Sequence, residues 1–597
     1  MQRIFQILLL FLLLLSVNLN AQNSKDSYSS SSELSTGIWF RIAVTTDGIY
    51  RIDYSKLKQL GLVNPSNPRV FGNNFGQLSY YNDDPKPDDL KELSILEYTG
   101  SDGIFNEGDY LLFFGKGTGR WIYNTTRKEY DYLSHNYSDT AFYFITSGST
   151  PGKTILTAAE PSLPATYSSS ESDALFVHEQ DDENLIRSGR EWFQQISAIH
   201  IDPGFSELLT SESVKYNIRV AARASVPTIF RLYEGTTLKK SIQVQGINLF
   251  DNIGTYAQIT DSAGSFQPGS TSPVYDIRFF NNGETGAHGW LDRVILQGRR
   301  SNSFPGSVRQ YTDSKSVAAG RITGFSIRSL TNDALIWDVT DPLNVKDIKY
   351  TRTGENLTFK SATDILKTFV AFTTSNAIVP IIKPVAILNQ DLHSSAPADM
   401  IIITHPLFRL YAEKLAEIHQ DNDGIISQVV TPEQIYNEFS GGIPDIVALR
   451  NFVRMKYLKQ KESIHPLKYL LLFGDGSYEN KTPPPDNPNF IPTYQSQNSN
   501  VVVSSCTSDD FYGLLDDGEG EIDGTEDIGI GRLPVSDTTQ AGIVLSKIKR
   551  YLDPANMGDW KNVICLSADD EDGNTHMSDA EGLSSIIEDS VPSFNVE

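Results

Sequence analysis

At Asp399 the sequence changes its period, and that change limits the available folds more than any other feature. Up to about residue 382 the apolar residues alternate in short runs broken by Gly and Asn, as in "VKYNIRVAARA", "PTIFRLYEG" and "KSIQVQGI". Alternation with period two marks half-buried strands, so residues 37–382 predict a β-rich, sandwich-like region of one or two domains. In "WFRIAVTTDGIYRID" the Asp47-Gly48 pair predicts a hairpin. Residues 383–398, "KPVAILNQDLHSSAPA", read as a linker.

From Asp399 apolar strands alternate with helical segments. "MIIITHP" is a strand, followed by a helix with Leu407, Tyr411, Leu415 and Ile418 on one face. "IISQVV" is the next strand. Thr431, Pro432 and Gln434 then write a capping box with proline at the first helical position. Gly441-Gly442 stops that helix, and Pro444 opens another carrying Ile446, Leu449, Val453 and Tyr457. "YLLLFGD", "IGIGRLP" and "NVICLSADD" read as strands, with a helix around Val544, Ile548 and Tyr551. Ser578 and Glu581 suggest a second capping box. Strands and helices alternating at this spacing imply a mainly parallel α/β sheet over 399–597.

The first 21 residues have Arg3, a mostly apolar run from Ile4 to Leu15 and a small residue at Ala21, the layout of a secretory signal peptide. Residues 22–36 are Ser-rich and predict a flexible leader. The chain is therefore expected to be exported. Its 597 residues exceed one core. A net charge of −24 argues against nucleic acid or anionic lipid as a main partner. That charge serves solubility; a second reading is that carboxylates cluster to hold hard cations such as calcium.

In an open parallel sheet, ligands bind beyond the carboxyl ends of the strands. Two predicted strands end in acidic clusters, "YLLLF" at Gly474-Asp475-Gly476 and "NVICLS" at Asp569-Asp570-Glu571-Asp572. Two such clusters on one sheet edge point to a site. The acidic run at 516–527 is not an EF-hand, because counting from Asp517 puts Ile522 where glycine is required. The two cysteines, Cys506 and Cys565, leave one bridge open, but both adjoin strand-like runs and read as buried thiols. Cys506 would be a small packed side chain, and His288, His405 and His576 each read as structural before catalytic.

Six stretches carry a resemblance. "TPEQIYNEFSGGIPDIVALRNFVRMKY", "KYLLLFGDGSYENK", "PNFIPTYQS", "SDDFYGLLD", "DIGIGRLPV" and "SADDEDGNTHMSDAE" occur in order over 399–582. They resemble the gingipain-type cysteine peptidases. "DGIYRIDYSKLKQLGL" resembles the start of the type IX secretion sortases of Bacteroidetes within that group. The resemblance implies a caspase-like α/β domain with a Cys/His dyad, truncated here. The family's His-Gly motif and nucleophile fall downstream of "ADDEDGNTH", so both are expected beyond Glu597 and the 597 residues are expected to be inactive alone. Asp569, or alternatively Asp570, would be the acid assisting the histidine. Asp475, Asp509 and Asp510 would be calcium ligands; the chemistry itself would need no cofactor. The implied activity is removal of C-terminal secretion signals from cargo proteins, with transfer to a lipopolysaccharide amine. Implied partners are that cargo, other outer-membrane components of the secretion system and anionic lipopolysaccharide, at the outer membrane on the cell surface or periplasmic face. Two other readings stand beside it: a secreted gingipain-like protease, and a non-catalytic surface adhesion or scaffold protein.

Overall fold

A computed structural model describes residues 28–597 apart from 63–64, 74–75, 330 and 380, with the backbone alone at 381–385. The signal-peptide reading lies outside the described residues. Among them, no helix is long and apolar enough to cross a membrane.

The β-rich region contains several antiparallel sheets. One has the order Ile381–Ile387, Trp39–Val44, Ala141–Ser147, Pro68–Gly72, Lys91–Glu92. The strands flanking Asp47-Gly48 do not form the predicted hairpin. Trp39–Val44 pairs with Ala141–Ser147, whereas Gly48–Asp53 pairs with Tyr110–Gly115 in a second sheet. Both turn partners find longer ladders elsewhere, and register follows the apolar faces rather than the turn.

Two sandwich-like cores follow. In the first, the inward residues Val214, Ile218 and Val220 of one sheet meet Phe230, Leu232 and Ile277 of its partner. In the second, Phe325, Ile327, Leu357 and Phe359 face Ile336, Phe369 and Ala371. Alternate positions on each strand point inward, as the period-two pattern requires.

The α/β part starts with β1 (Met400–Thr404), whose five residues are all buried. It continues through α1 (Arg409–Asp423), β2 (Ser427–Val430), α2 (Pro432–Phe439), α3 (Ile446–Gln460), β3 (Tyr469–Phe473), β4 (Gly529–Leu533) and α4 (Thr538–Leu552). The four strands form one parallel sheet in the order β2-β1-β3-β4. Met400 pairs with Ser427 on one side and Tyr469 on the other, and Tyr469 pairs with Gly529. The capping box before α2 is present, with Thr431 Oγ1 accepting from Gln434 N and Gln434 Oε1 from Thr431 N. Gly441 and Gly442 end α2 at φ 63° and 83°.

The two parts share a core. Leu78 and Tyr137 from the β-rich region pack with Ile435, Tyr436, Phe439 and Phe452. That contact explains why α3 is buried all round, Arg450 included.

Several expectations need correction. The stretch 22–36 is pinned down from Tyr28 onward: Ser32 and Leu34 are buried, and the Asp89 and Asp391 carboxylates accept from the backbone N–H of Glu33 and Ser32. The predicted linker begins in a strand of the first sheet and runs through buried Leu392 and His393 to buried Ala398. The run "VVVSS" is a surface 3-10 turn (Val502–Ser504) with exposed valines, not a strand. "NVICLS" contributes only β5 (Val563–Ile564), which pairs with β6 (Asn595–Val596) and not with the four-stranded sheet. Ser578 and Glu581 lie inside α5 (Glu571–Ser590), which kinks at Asp572–Asn574, so they cap nothing.

Candidate functional site

The carboxyl ends of β1, β2 and β3 open toward the first antiparallel sheet. After β1, His405 Nδ1 accepts from Leu407 N at 3.2 Å, and its ring meets Phe490 edge-on at 5.2 Å between centroids. Burial lowers its pKa, so it is a neutral capping residue. After β2 comes the Thr431-Pro432 cap. After β3, Gly474 turns at φ 154°; a Cβ there would lie 3.0 Å from both Ile491 and Phe490 side chains. Proline and aromatic side chains, among them Pro432, Tyr436 and Phe490, join Arg41 and Phe142 of the antiparallel sheet to line a cavity of about 390 Å³.

Arg532, in β4, holds this edge together. Its guanidinium donates to Gly474 O at 2.9 Å and Ile491 O at 2.8 Å, and reaches both Asp509 oxygens at 2.7 Å. Burial works against its charge, but the hydrogen bond and charge of Asp509 outweigh burial and raise its pKa. A bidentate arginine–carboxylate pair is a strong, directional contact. The sequence reading named Asp509 but missed Arg532; the available signal was an arginine inside "IGIGRLP", a strand-like run otherwise free of charge.

This geometry bears on the expected calcium ligands. Asp509 spends both oxygens on Arg532, and Asp475 Oδ1 accepts from Gly476 N at 2.9 Å. Asp510 is exposed beside Glu526, whose pKa is raised first by desolvation and then by that neighbour. The three carboxylates do not converge on a cation, and the guanidinium already supplies the counter-charge, so the set does not fit calcium. Asp569 and Asp570 are exposed and belong to the β5 segment, so they do not share an edge with Asp475.

Among the described residues, one group of three metal-ligating side chains does converge: Asp391, His393 and Glu438. Here His393 Nδ1 bonds Glu438 at 2.6 Å and Nε2 bonds Asp88 at 3.0 Å. Burial opposes the charge of His393, yet its two carboxylate partners raise its pKa to about 9. With both ring nitrogens donating, the imidazolium has no lone pair for a metal. This is an ionic clasp joining the 28–36 segment, the Asp88 loop and α2. A nearby second hub is Asp445, wholly buried, accepting from Leu78 N at 3.0 Å and Val447 N at 2.9 Å. Burial pushes its pKa up to about 7.

Both cysteines are exposed, contrary to the expectation of buried thiols. Cys506 follows the surface turn that replaces the predicted strand, and its backbone bonds Ser496 through both N–H and C=O. The nine histidines of the sequence have ring partners among carboxylates, Gln side chains or backbone N–H groups, and none is a cysteine. A thiol without a base is a poor nucleophile, so the structure builds no Cys/His pair on Cys506 or Cys565.

Residues 393–597 match the family model described as Peptidase family C25. No curated protein matches. Among solved structures, dimeric latent PorU from Porphyromonas gingivalis superposes with a TM-score of 0.77 at 23% identity, over 89% of this chain and 51% of that chain. The present chain thus spans about half the length of that structure. The insecticidal delta-endotoxin Cry8Ea1 from Bacillus thuringiensis reaches a TM-score of only 0.15 at 11% identity, over 44% of this chain and 52% of that one, and bears on nothing here. Residues 393–597 match the peptidase family C25 model, in a chain whose fold is similar to that of latent PorU.

Proposed function

We propose that the chain serves a type IX secretion sortase, a C25 cysteine peptidase that removes C-terminal secretion signals from cargo proteins at the outer membrane. The supporting observation is the extent of the fold match. The C25 region is about a third of the chain, so a superposition over 89% takes in the β-rich region as well. A shared peptidase domain alone would not produce that coverage.

In this reading a cysteine thiolate attacks the scissile carbonyl carbon, the C–N bond breaks, and a histidine gives its proton to the leaving amine. Water or a lipopolysaccharide amine then attacks the thioester, and the thiol is restored. The 597 residues contribute the parallel sheet, the edge clamped by Arg532–Asp509 and the β-rich body. Asp569, or Asp570, would be the acid that orients the histidine. Cys506 and Cys565 take no part, and the 597 residues alone cleave nothing. The partners are the cargo, anionic lipopolysaccharide and the other outer-membrane components of the system.

The test uses the full-length protein and a cargo with an intact C-terminal signal, under reducing conditions. Loss of the signal, seen as the corresponding mass decrease, supports the reading. An uncut cargo overturns it.

A further inference from the structure

A further cavity, of about 590 Å³, lies wholly in the β-rich region, between Tyr123 and Arg321 in sequence. Three pieces of chain meet around it. One is the turn of the hairpin that pairs Arg120–Asn124 with Glu129–Leu133. The second is the first sandwich, through Lys215 and Gln297–Arg299, and the third is the Ser314–Arg321 stretch of the second sandwich. Lys215 Nζ donates to Lys128 O at 3.1 Å, which fixes the hairpin turn over the sandwich. Junctions of this kind are where ligand pockets preferentially form.

Five cationic side chains line the cavity, Lys128, Lys215, Arg299, Lys315 and Arg321, against the carboxylates of Asp173 and Glu212. The floor is committed internally. Buried Arg299 donates through Nη1 to Asp173 at 2.6 Å and Asp313 at 2.9 Å, with Glu171 3.6 Å from Nη2. Asp173 also accepts from Tyr130 Oη at 2.6 Å, and from Ser314 N and Oγ at 2.8 and 3.0 Å. The Gln297 amide is spent on the backbone N–H and C=O of Tyr130.

The rim is different, because its charges are accessible. Lys215 pairs with Glu129 at 3.1 Å and Lys315 with Glu212 at 2.9 Å, yet the two lysine side chains are 42% and 47% exposed. Exposed pairs of this kind hold weakly and open to a stronger anion. Lys128 is exposed, and among the described residues it forms no ion pair. Arg321 donates to Lys315 O at 3.0 Å and lies over the Tyr167 ring at 4.9 Å, also without a carboxylate partner among the described residues. Four rim cations thus face two exposed carboxylates, and Thr125 and Ser213 add exposed hydroxyls. In a chain of net charge −24 this reverses the local field, which draws anions to the rim while the rest of the surface repels them.

We infer that this cavity binds a compact soluble polyanion, a ligand carrying more than one phosphate group. Its oxygens displace Glu129 and Glu212 from the two lysines and engage Lys128 and Arg321. Lysine meets phosphate as a point charge, and arginine adds a planar fork of donors. An acidic peptide would spread its charge along an extended backbone of about 3.3 Å or more per residue, so fewer of its carboxylates reach one rim. Three walls of chain enclose the site, which suits a soluble ester better than a headgroup held in a membrane. The inference does not depend on the peptidase reading, since no lining residue belongs to 393–597.

The test is isothermal titration calorimetry of the 597-residue chain with inorganic tripolyphosphate, and with acetyl-tetra-aspartate-amide as the peptide polyanion. Cosedimentation with phosphatidylglycerol vesicles reads the lipid headgroup. The variants are Lys128→Glu, a surface change that leaves the fold intact, and the double variant Lys128→Gln/Arg321→Gln. Lys547→Gln, exposed on α4, is the control. The expected result is saturable one-to-one binding of tripolyphosphate that falls as salt is raised. It is weakened severalfold by Lys128→Glu and at least tenfold by the double variant, and is unchanged in the control. No saturable binding, equal binding of the aspartate peptide, unchanged binding in Lys128→Glu, or capture by vesicles without tripolyphosphate binding overturns the inference.

Discussion

His393 and Glu438 meet at 2.6 Å with both side chains wholly buried, and the contact fastens α2 to the segment that precedes the parallel sheet. Removing one partner of such a pair leaves the other charge stranded, at a cost of about 3–5 kcal/mol. Glu438→Ala and His393→Ala should each lower the unfolding free energy by that order, measured by chemical denaturation followed by circular dichroism.

The same clasp sets a pH dependence. His393 is raised to about 9 in the folded chain, against about 6.5 unfolded. Its stabilising contribution is full below about pH 6.5 and is lost as pH rises through about 9. Asp89, raised by burial to about 6, and Asp445, raised by burial to about 7, titrate lower. The difference between wild type and His393→Ala should therefore shrink between pH 6.5 and 9.5 in thermal melts. A difference constant across that range contradicts the assignment.

Arg532→Met should destabilise the chain by about 3 kcal/mol or more, since it strands Asp509 and the carbonyls of Gly474 and Ile491. Because Asp509 is already paired, millimolar calcium should leave the wild-type melting temperature unchanged. A calcium-dependent rise would show that the carboxylates gather around a cation after all.

Cys506 and Cys565 are both exposed, so both should react with a thiol reagent in the native chain, to two equivalents by mass spectrometry. Cys506→Ser should shift the melting temperature by less than a degree or so, as surface substitutions usually cost under ~0.5 kcal/mol. Slow labelling that needs denaturant would contradict this.

Gly442→Ala should cost about 1–3 kcal/mol in the same denaturation assay. The glycine sits at φ 83°, and a Cβ would come within 3.1 Å of Phe144 and 3.2 Å of Phe142.

The α/β part was legible because its signals are local. Thr431-Pro432-Gln434 caps its helix and Gly441-Gly442 stops it as written, and apolar runs such as "MIIIT" become the predicted parallel strands. Where pairing is non-local the reading failed. Asp47-Gly48 looks like a hairpin turn, but the long antiparallel ladders to Ala141–Ser147 and Tyr110–Gly115 outcompete it. The valines before Cys506 look like a buried strand, yet they end as an exposed turn because no neighbouring strand takes them. At the site, the carboxylates of Asp475 and Asp509 were visible in sequence, but Arg532 was not tied to them. Pairing across 23 residues carries no periodic signal. His393, read as linker, was missed for the same reason: its partners Asp88 and Glu438 are 305 and 45 residues away.

The most direct test of the central claim is mass spectrometry of a cargo with an intact C-terminal secretion signal. It is incubated in parallel with the full-length protein and with the 597 residues alone. The account predicts that the full-length protein removes the signal and that the 597 residues leave it intact. An uncut cargo with the full-length protein, or cleavage by the 597 residues that disappears in Cys506→Ala, would contradict it.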